Sequence, residues 1–229
     1  MSGWAAQSGA SVRLEWGAQA VEHLAGDVDC VVVVDVMSFS TCVDVAVARG
    51  AHVLPYAWRD AGAQAYARER GAELASIDRR LAQGWSLSPT SLAAVPAGLR
   101  LVLPSPNGSS IAFAARDRGV AVLCGGLRNR LATARACAGF GRVLVVACGE
   151  RWPDGSLRPA LEDLVGAGGI VAALGRAVRR LGAAGVGRAG GRASGRRCRL
   201  RGRRRRDVVL LLRGRRRRAR RARAAVRVA

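Results

Sequence analysis

The chain has 229 residues, half of them apolar, and a formal charge of +22 from 38 basic and 16 acidic side chains. Half-apolar composition over this length excludes a wholly disordered chain, and a buried core follows from it. The charge is confined to one end: residues 1–180 hold 19 Arg against 15 acidic residues, whereas residues 181–229 hold 19 Arg against Asp207 alone. The charge therefore does not argue that the body binds a polyanion.

In chain order, short apolar runs alternate with helical patterns. Val12 to Trp16 is followed by Ala18 to Leu24, Cys30 to Val36 by Thr41 to Arg49, and His52 to Tyr56 by Arg59 to Arg70. Leu101 to Leu103 precedes a helix over Ser109 to Asp117, Val120 to Leu123 precedes Leu131 to Ala138, and Val143 to Ala147 precedes Leu161 to Arg180. Continuous Val/Leu runs of four or five residues suit strands covered on both faces. The expected fold class is α/β, a layered α/β/α arrangement with a mainly parallel or mixed sheet.

Two longer loops, 77–98 and 148–159, break this rhythm, and loops of that length in an α/β domain are often functional. The first is also a candidate hinge between subdomains over 1–78 and 99–180. The expected domain is 1–180. Beyond it, 36 of the last 49 residues are Arg, Gly or Ala, a composition that builds no core. Disorder or a shifted reading frame in GC-rich DNA accounts for such a tail. A non-enzymatic reading makes this arm a binder of RNA or DNA, with affinity falling steeply in salt. The arm has no aromatic residue for base stacking, so nucleic-acid binding is expected to be adventitious.

The six cysteines form no CxxC pair and abut apolar runs, which reads as buried, reduced thiols in a cytoplasmic protein. No signal peptide or membrane span is recognised. Cys124 and Arg130 have the spacing of a thiolate phosphatase loop, a match expected about once by chance in a chain this rich in Arg. His23 and His52 lie in no metal-ligand cluster.

Ligands of open α/β sheets bind beyond the carboxyl ends of the strands. After Val31 to Val34 come Asp35, Ser38, Ser40 and Thr41; after Leu101 to Leu103 come Ser105, Asn107, Gly108, Ser109 and Ser110; after Val143 to Val146 come Glu150, Asp154, Glu162 and Asp163. The Asn107 to Ser110 turn entering a helix suits an anion, although ordinary N-capping also explains it. Asp35, with one of Glu162 and Asp163, suits a hard cation such as Mg2+, against the alternatives of capping and of acidic charge in a first helical turn.

Five blocks carry a resemblance: VDCVVVVDVMSFSTCVDVAVARGAHVLPY (28–56), LSPTSL (87–92), LRLVLPSPNGSSIA (99–112), LCGGLRN (123–129) and CGERWPDGSLRPALEDLVGAGGIVAAL (148–174). In this order and spacing the chain resembles the 2-phosphosulfolactate phosphatase family over residues 10–178. The resemblance implies a magnesium-dependent α/β phosphatase that hydrolyses 2-phospho-3-sulfolactate, a small anionic phosphoester, in coenzyme M biosynthesis. By motif it carries over Asp35 and Thr41 in the first block, Asn107 and Gly108 in the NG block, Asn129 in LCGGLRN, and Glu162 and Asp163 in the last block. The roles we expect from residue chemistry are catalysis for Asp35 and Asn107, substrate binding for Ser38, Ser40, Thr41, Gly108, Ser109 and Asn129, and metal binding for Asp35, Glu162 and Asp163. Ser38 stands where a DVLRAT-like motif carries Arg. The compensating charge then comes from Arg79, Arg80, Arg128 or Arg151, or the substrate is a different small phosphate ester.

Overall fold

A computed structural model describes residues 4–57, 61–76, 78, 83–183 and 211–213, with 4, 61, 176–183 and 211–213 described by backbone alone. The elements in order are β1 (Val12–Trp16), α1 (Gly17–Leu24), β2 (Cys30–Val34), α2 (Phe39–Ala48), β3 (His52–Tyr56), α3 (Ala61–Glu69), β4 (Glu73–Leu74), α4 (Pro89–Leu92), β5 (Arg100–Pro104) and α5 (Gly108–Asp117). Then follow β6 (Ala121–Gly125), α6 (Arg130–Cys137), β7 (Val143–Ala147), β8 (Glu150–Arg151), β9 (Leu157–Arg158), α7 (Leu161–Ala183) and β10 (Leu211–Arg213). The α/β alternation read from the sequence is thus the observed one.

The strands do not form one sheet. One sheet has the order β1-β7-β2-β6-β10, parallel except for β10; a second, parallel throughout, has the order β3-β5-β4; β8 and β9 make a separate antiparallel hairpin. Alternation of side chains explains the layering. Val31, Val33, Leu144 and Val146 face a core shared with α1, α2, α5 and the inner residues Val53, Leu101 and Leu103 of the second sheet. Val32, Val34, Val145 and Ala147 face α6 and α7 on the other side. Leu54 and Val102 point outward from the second sheet to Ala67 of α3. Every residue of β2 is buried because both faces are covered, which is why its sequence is CVVVV rather than an alternation.

Residues 77–98 connect β4 to β5, which are hydrogen-bonded neighbours, so a hinge there would divide one sheet. The segment from 184 onward lies outside the described residues except for Leu211–Arg213, whose backbone pairs with β6. Leu211 and Leu212 are the last two residues of the tail's apolar run, 208–212. The disorder, reading-frame and nucleic-acid readings of the tail otherwise concern residues outside the described ones. Among the described residues no helix is long and apolar enough to cross a membrane.

Helices leave the parallel strands on alternate sides. α1 and α2 follow β1 and β2 onto one face, while α6 and α7 follow β6 and β7 onto the other. Each neighbouring pair in the row β1-β7-β2-β6 therefore parts at its carboxyl ends and leaves a crevice there. Close packing sets the middle crevice: at Gly166 of α7 a Cβ would lie 3.0 Å from Val36 Cγ2 and 3.1 Å from Val34 Cγ1. That approach brings the first turn of α7, with Asp163, against the end of β2.

Candidate active site

Asp35 is the first residue after β2 and is 7% exposed. Its Oδ1 accepts a hydrogen bond from Phe39 N at 3.0 Å, and its Oδ2 accepts from Gly108 N at 3.2 Å and from Ser105 Oγ at 3.4 Å. Phe39 and Gly108 are the first residues of α2 and α5. Two helix N-termini therefore converge on one carboxylate, where free N–H groups and helix dipoles favour negative charge.

Asp163 is the second buried carboxylate, 3% exposed. Its Oδ1 accepts from Val36 N at 2.7 Å and its Oδ2 from Gly149 N at 2.9 Å, which pins the first turn of α7 across the ends of β2 and β7. A third carboxylate, Glu150, accepts from Asn107 Nδ2 at 3.2 Å. Burial pushes Asp35 up to a pKa of about 6, assisted by the negative charges of Asp163 and Glu150 and opposed by the N–H donors. Burial likewise raises Asp163 to about 6, with Glu162 and Glu150 adding to it and the bonds from Val36 and Gly149 opposing. Two acids of this kind titrate near neutrality, where general acid–base groups work best.

These raised values fix a pH dependence of stability. The folded state keeps a proton on Asp35 between pH 3.8 and about 6 that the unfolded chain releases. The contribution is complete below 3.8 and is lost as the pH rises through about 6, and Asp163 acts in the same sense. For Asp35 the rise from 3.8 to about 6 corresponds to about 3 kcal/mol. Urea denaturation should therefore show the stability of Asp35→Asn relative to wild type increasing by about 2 kcal/mol between pH 4.5 and 7.5. A constant difference across that range would refute the burial argument.

The sequence-derived site residues divide into two groups. Asp35, Asn107, Gly108 and Asp163 meet at the carboxylate cluster, and Ser38 and Thr41 line the crevice beside it. The others are engaged in closing turns. Ser40 Oγ donates to Val33 O at 2.9 Å and accepts from Asp35 N at 3.1 Å; Ser109 Oγ donates to Leu103 O at 3.1 Å; Asn129 accepts from Gly126 N at 2.9 Å and donates to Cys124 O at 3.2 Å. All three are buried. The anion received by Gly108 in the Asn107 to Ser110 turn is the Asp35 carboxylate of the protein itself. Glu162 is half-buried and acts on the site through its charge on Asp163.

Glu150 and Ser105 belong to the cluster without having been assigned to it from sequence, although both follow strand ends. Glu150 sits in the loop 148–159, which folds back as the β8–β9 hairpin over a cavity of about 400 Å3. Asn107, Ser110, Glu150, Arg151 and Leu157 line it, together with the start of α1. A second cavity, of about 450 Å3, opens between the ends of β2 and β6 and is lined by Ser38, Thr41, Leu87, Ser88 and Arg128 among others. Both long loops thus contribute walls at the carboxyl edge of the sheet. Arg151 lines the first cavity and Arg128 the second, while Arg79 and Arg80 lie outside the described residues.

Two thiols lie beneath Asp35. Burial, then the Asp35 charge, pushes Cys124 up to about 12, and the same causes raise Cys148. Cys124 is therefore a neutral thiol, and Arg130 donates to Leu127 O at 2.9 Å from an exposed position, so the Cys124/Arg130 spacing forms no thiolate loop. His23 and His52 are exposed.

The carboxylates are the donor class a hard cation takes. Among the described residues no three His, Cys, Asp or Glu side chains stand close enough to hold an ion on their own. An ion here would therefore take one or two protein oxygens and complete its shell with water and substrate, the usual habit of Mg2+.

No curated protein matches the chain. The family model described as 2-phosphosulpholactate (2-phosphosulfolactate) phosphatase matches residues 18–184, a span that contains Asp35, Asn107, Glu150 and Asp163.

Proposed function

The chain belongs to the 2-phosphosulfolactate phosphatase family, a family of enzymes, and from that premise we propose that it hydrolyses 2-phospho-3-sulfolactate, or a closely related small phosphate monoester, with Mg2+. The observation that carries this reading is that Asp35, Asp163 and Glu150 lie within electrostatic reach of one another at the strand ends, two of them with pKa values raised to about 6. Repulsion among these acids is a cost in the protein alone, and a divalent cation would relieve it.

Asp35 and Asp163 are the residues that would hold the ion. When bound, Mg2+ supplies polarisation of the phosphoryl oxygens and a lowered pKa of bound water. The chain's own residues do the rest. Asp35 is kept ionised at neutral pH by the N–H groups of Phe39 and Gly108, and it accepts the proton released by the attacking water. The water oxygen bonds to phosphorus, the ester P–O bond breaks, and the departing alkoxide takes a proton from solvent to give 3-sulfolactate, while Asp35 releases to solvent the proton it gained. Asn107 Nδ2 fixes the rotamer of Glu150 and presents an amide to the same space.

The test combines turnover with a thermal readout. Phosphate release from 2-phosphosulfolactate should require Mg2+ and cease with a chelator. Mg2+ alone should raise the melting temperature at pH 7.5, where Asp35 and Asp163 are ionised, and have little effect at pH 5, where they are largely protonated. Turnover that is indifferent to chelation would remove the metal from the reading, and absence of phosphate release from every small monoester would remove the substrate class.

A further inference from the structure

We propose that the crevice between the carboxyl ends of β2 and β6 is the subsite for the acidic group of the substrate that is not hydrolysed, with the guanidinium of Arg128 as its cation. The inference rests on the phosphatase reading and adds to it a residue that determines specificity. Its first support is position. α2 and α6 leave their strands on opposite faces, so the turn Val36–Ser38 and the turn Leu127–Asn129 diverge around a cavity of about 450 Å3. Val36 belongs to both places: its N–H binds Asp163, and it lines the cavity. A substrate whose phosphate lies at the carboxylates therefore has this crevice within reach of a neighbouring group.

The second support is how Arg128 is held. Its Nε donates to Asp44 Oδ2 at 3.0 Å, and Asp44 is anchored on α2 and 5% exposed. The Arg128 side chain is 62% exposed, and its terminal nitrogens make no hydrogen bond among the described residues. Arg13 shows the contrasting use. It is 3% exposed, and both of its terminal nitrogens are engaged with Asp27, at 2.6 and 2.8 Å, as a structural tie requires. Arg128 is instead clamped at Nε with its forked end presented, the geometry that takes a carboxylate or sulfonate in two parallel bonds.

The third support is the rest of the wall. Ser38 Oγ donates to Leu87 O at 3.0 Å and Thr41 Oγ1 to Val36 O at 2.7 Å, so both hydroxyl protons are engaged. The Ser88 hydroxyl is paired with that of Thr90 at 2.8 Å, and Val36, Met37, Leu87, Pro89 and Leu127 add apolar surface. Recognition of an anion is thereby concentrated in one side chain. Because Asp35, Asp163 and Glu150 lie nearby, an ester bearing an acid besides its phosphate is repelled unless that cation meets it.

Three phosphate monoesters with short carbon chains separate the possibilities: 2-phosphoglycolate, which carries a carboxylate; the phosphate ester of 2-hydroxyethanesulfonate, which carries a sulfonate; and ethyl phosphate, which carries neither. For Arg128→Gln we expect KM to rise roughly 10- to 100-fold for the acidic esters, with kcat little changed and ethyl phosphate unaffected. Arg128→Lys should fall between, and Asp44→Asn should shift KM in the same direction by less. Whichever acidic ester suffers more identifies the group the crevice takes. Calorimetric binding of 3-sulfolactate to wild type and Arg128→Gln gives a readout independent of turnover, and the same weakening is expected. If no ester is hydrolysed but 3-sulfolactate binding depends on Arg128, the subsite stands and the phosphatase reading falls. If all three esters are affected alike, or none is, the subsite is overturned while the phosphatase reading stands. No turnover and no binding would overturn both.

Discussion

Replacing Asp35 by Asn is expected to lower kcat by about 10³-fold or more at pH 7.5, with the fold retained, because the change removes both the proton acceptor and a carboxylate for the cation. The side chain keeps its size, and one amide oxygen remains to accept from Phe39 N or Gly108 N. What disappears is the charge that two helix N-termini surround. The same substitution should abolish the thermal shift caused by Mg2+, since Asp163 alone retains a carboxylate on that side. Single-turnover phosphate release and circular dichroism on the same preparation would distinguish a chemical loss from a folding one. Phosphate release from Asp35→Asn at the wild-type rate would remove Asp35 from the chemistry, whatever the pH profile shows.

The second large effect is expected at Gly108, the first residue of α5. A Cβ there would lie 2.8 Å from Asp35 Oδ2 and would press on the ring of Phe39. Phe39 is fully buried and donates the N–H that holds the other Asp35 oxygen, so neither neighbour has room to yield. Gly108→Ala should destabilise the protein by about 3 kcal/mol, combining overpacking with distortion of a hydrogen bond to a charged group. That corresponds to a fall in melting temperature of about 6 to 12 °C for a chain of this size. The loss of activity should exceed what the unfolded fraction explains, because the displaced carboxylate is the reactive one. Gly139→Ala is the control: a Cβ there meets nothing within 4 Å, and the expected change is within about 0.5 kcal/mol. Equal melting temperatures for the two variants would show that Asp35 and Phe39 are not packed against Gly108.

Much of this organisation is visible before folding is considered. The unbroken CVVVV of β2 announces a strand covered on both faces, and β1, β3 and β7 have the bounds expected from their apolar runs. Asp35, Asn107 and Asp163 stand out as polar residues trailing apolar runs, and they do converge. The hydroxyls and amides were less legible. Ser40, Ser109 and Asn129 occupy the same kind of position as Ser38 and Thr41, yet they are buried at 3% exposure or less, whereas Ser38 and Thr41 line a crevice. Composition records that a donor is present, not whether a carbonyl one turn away has already taken it. Glu150 trails an apolar run in the same way, but the β8–β9 hairpin decides which way it faces.

Local chemistry along the chain was sufficient to determine the α/β class, the bounds of most strands and helices, and the carboxylates at the strand ends, because burial on two faces and helical periodicity are properties of neighbouring residues. The tertiary structure alone decided that the strands sort into two sheets and a separate hairpin, that helices leave β1, β7, β2 and β6 on alternate sides, and that Arg128 faces a crevice next to the carboxylates. Strand partners and crevices depend on contacts between residues far apart in the chain, and an apolar run such as that of β3 looks the same whichever sheet it joins.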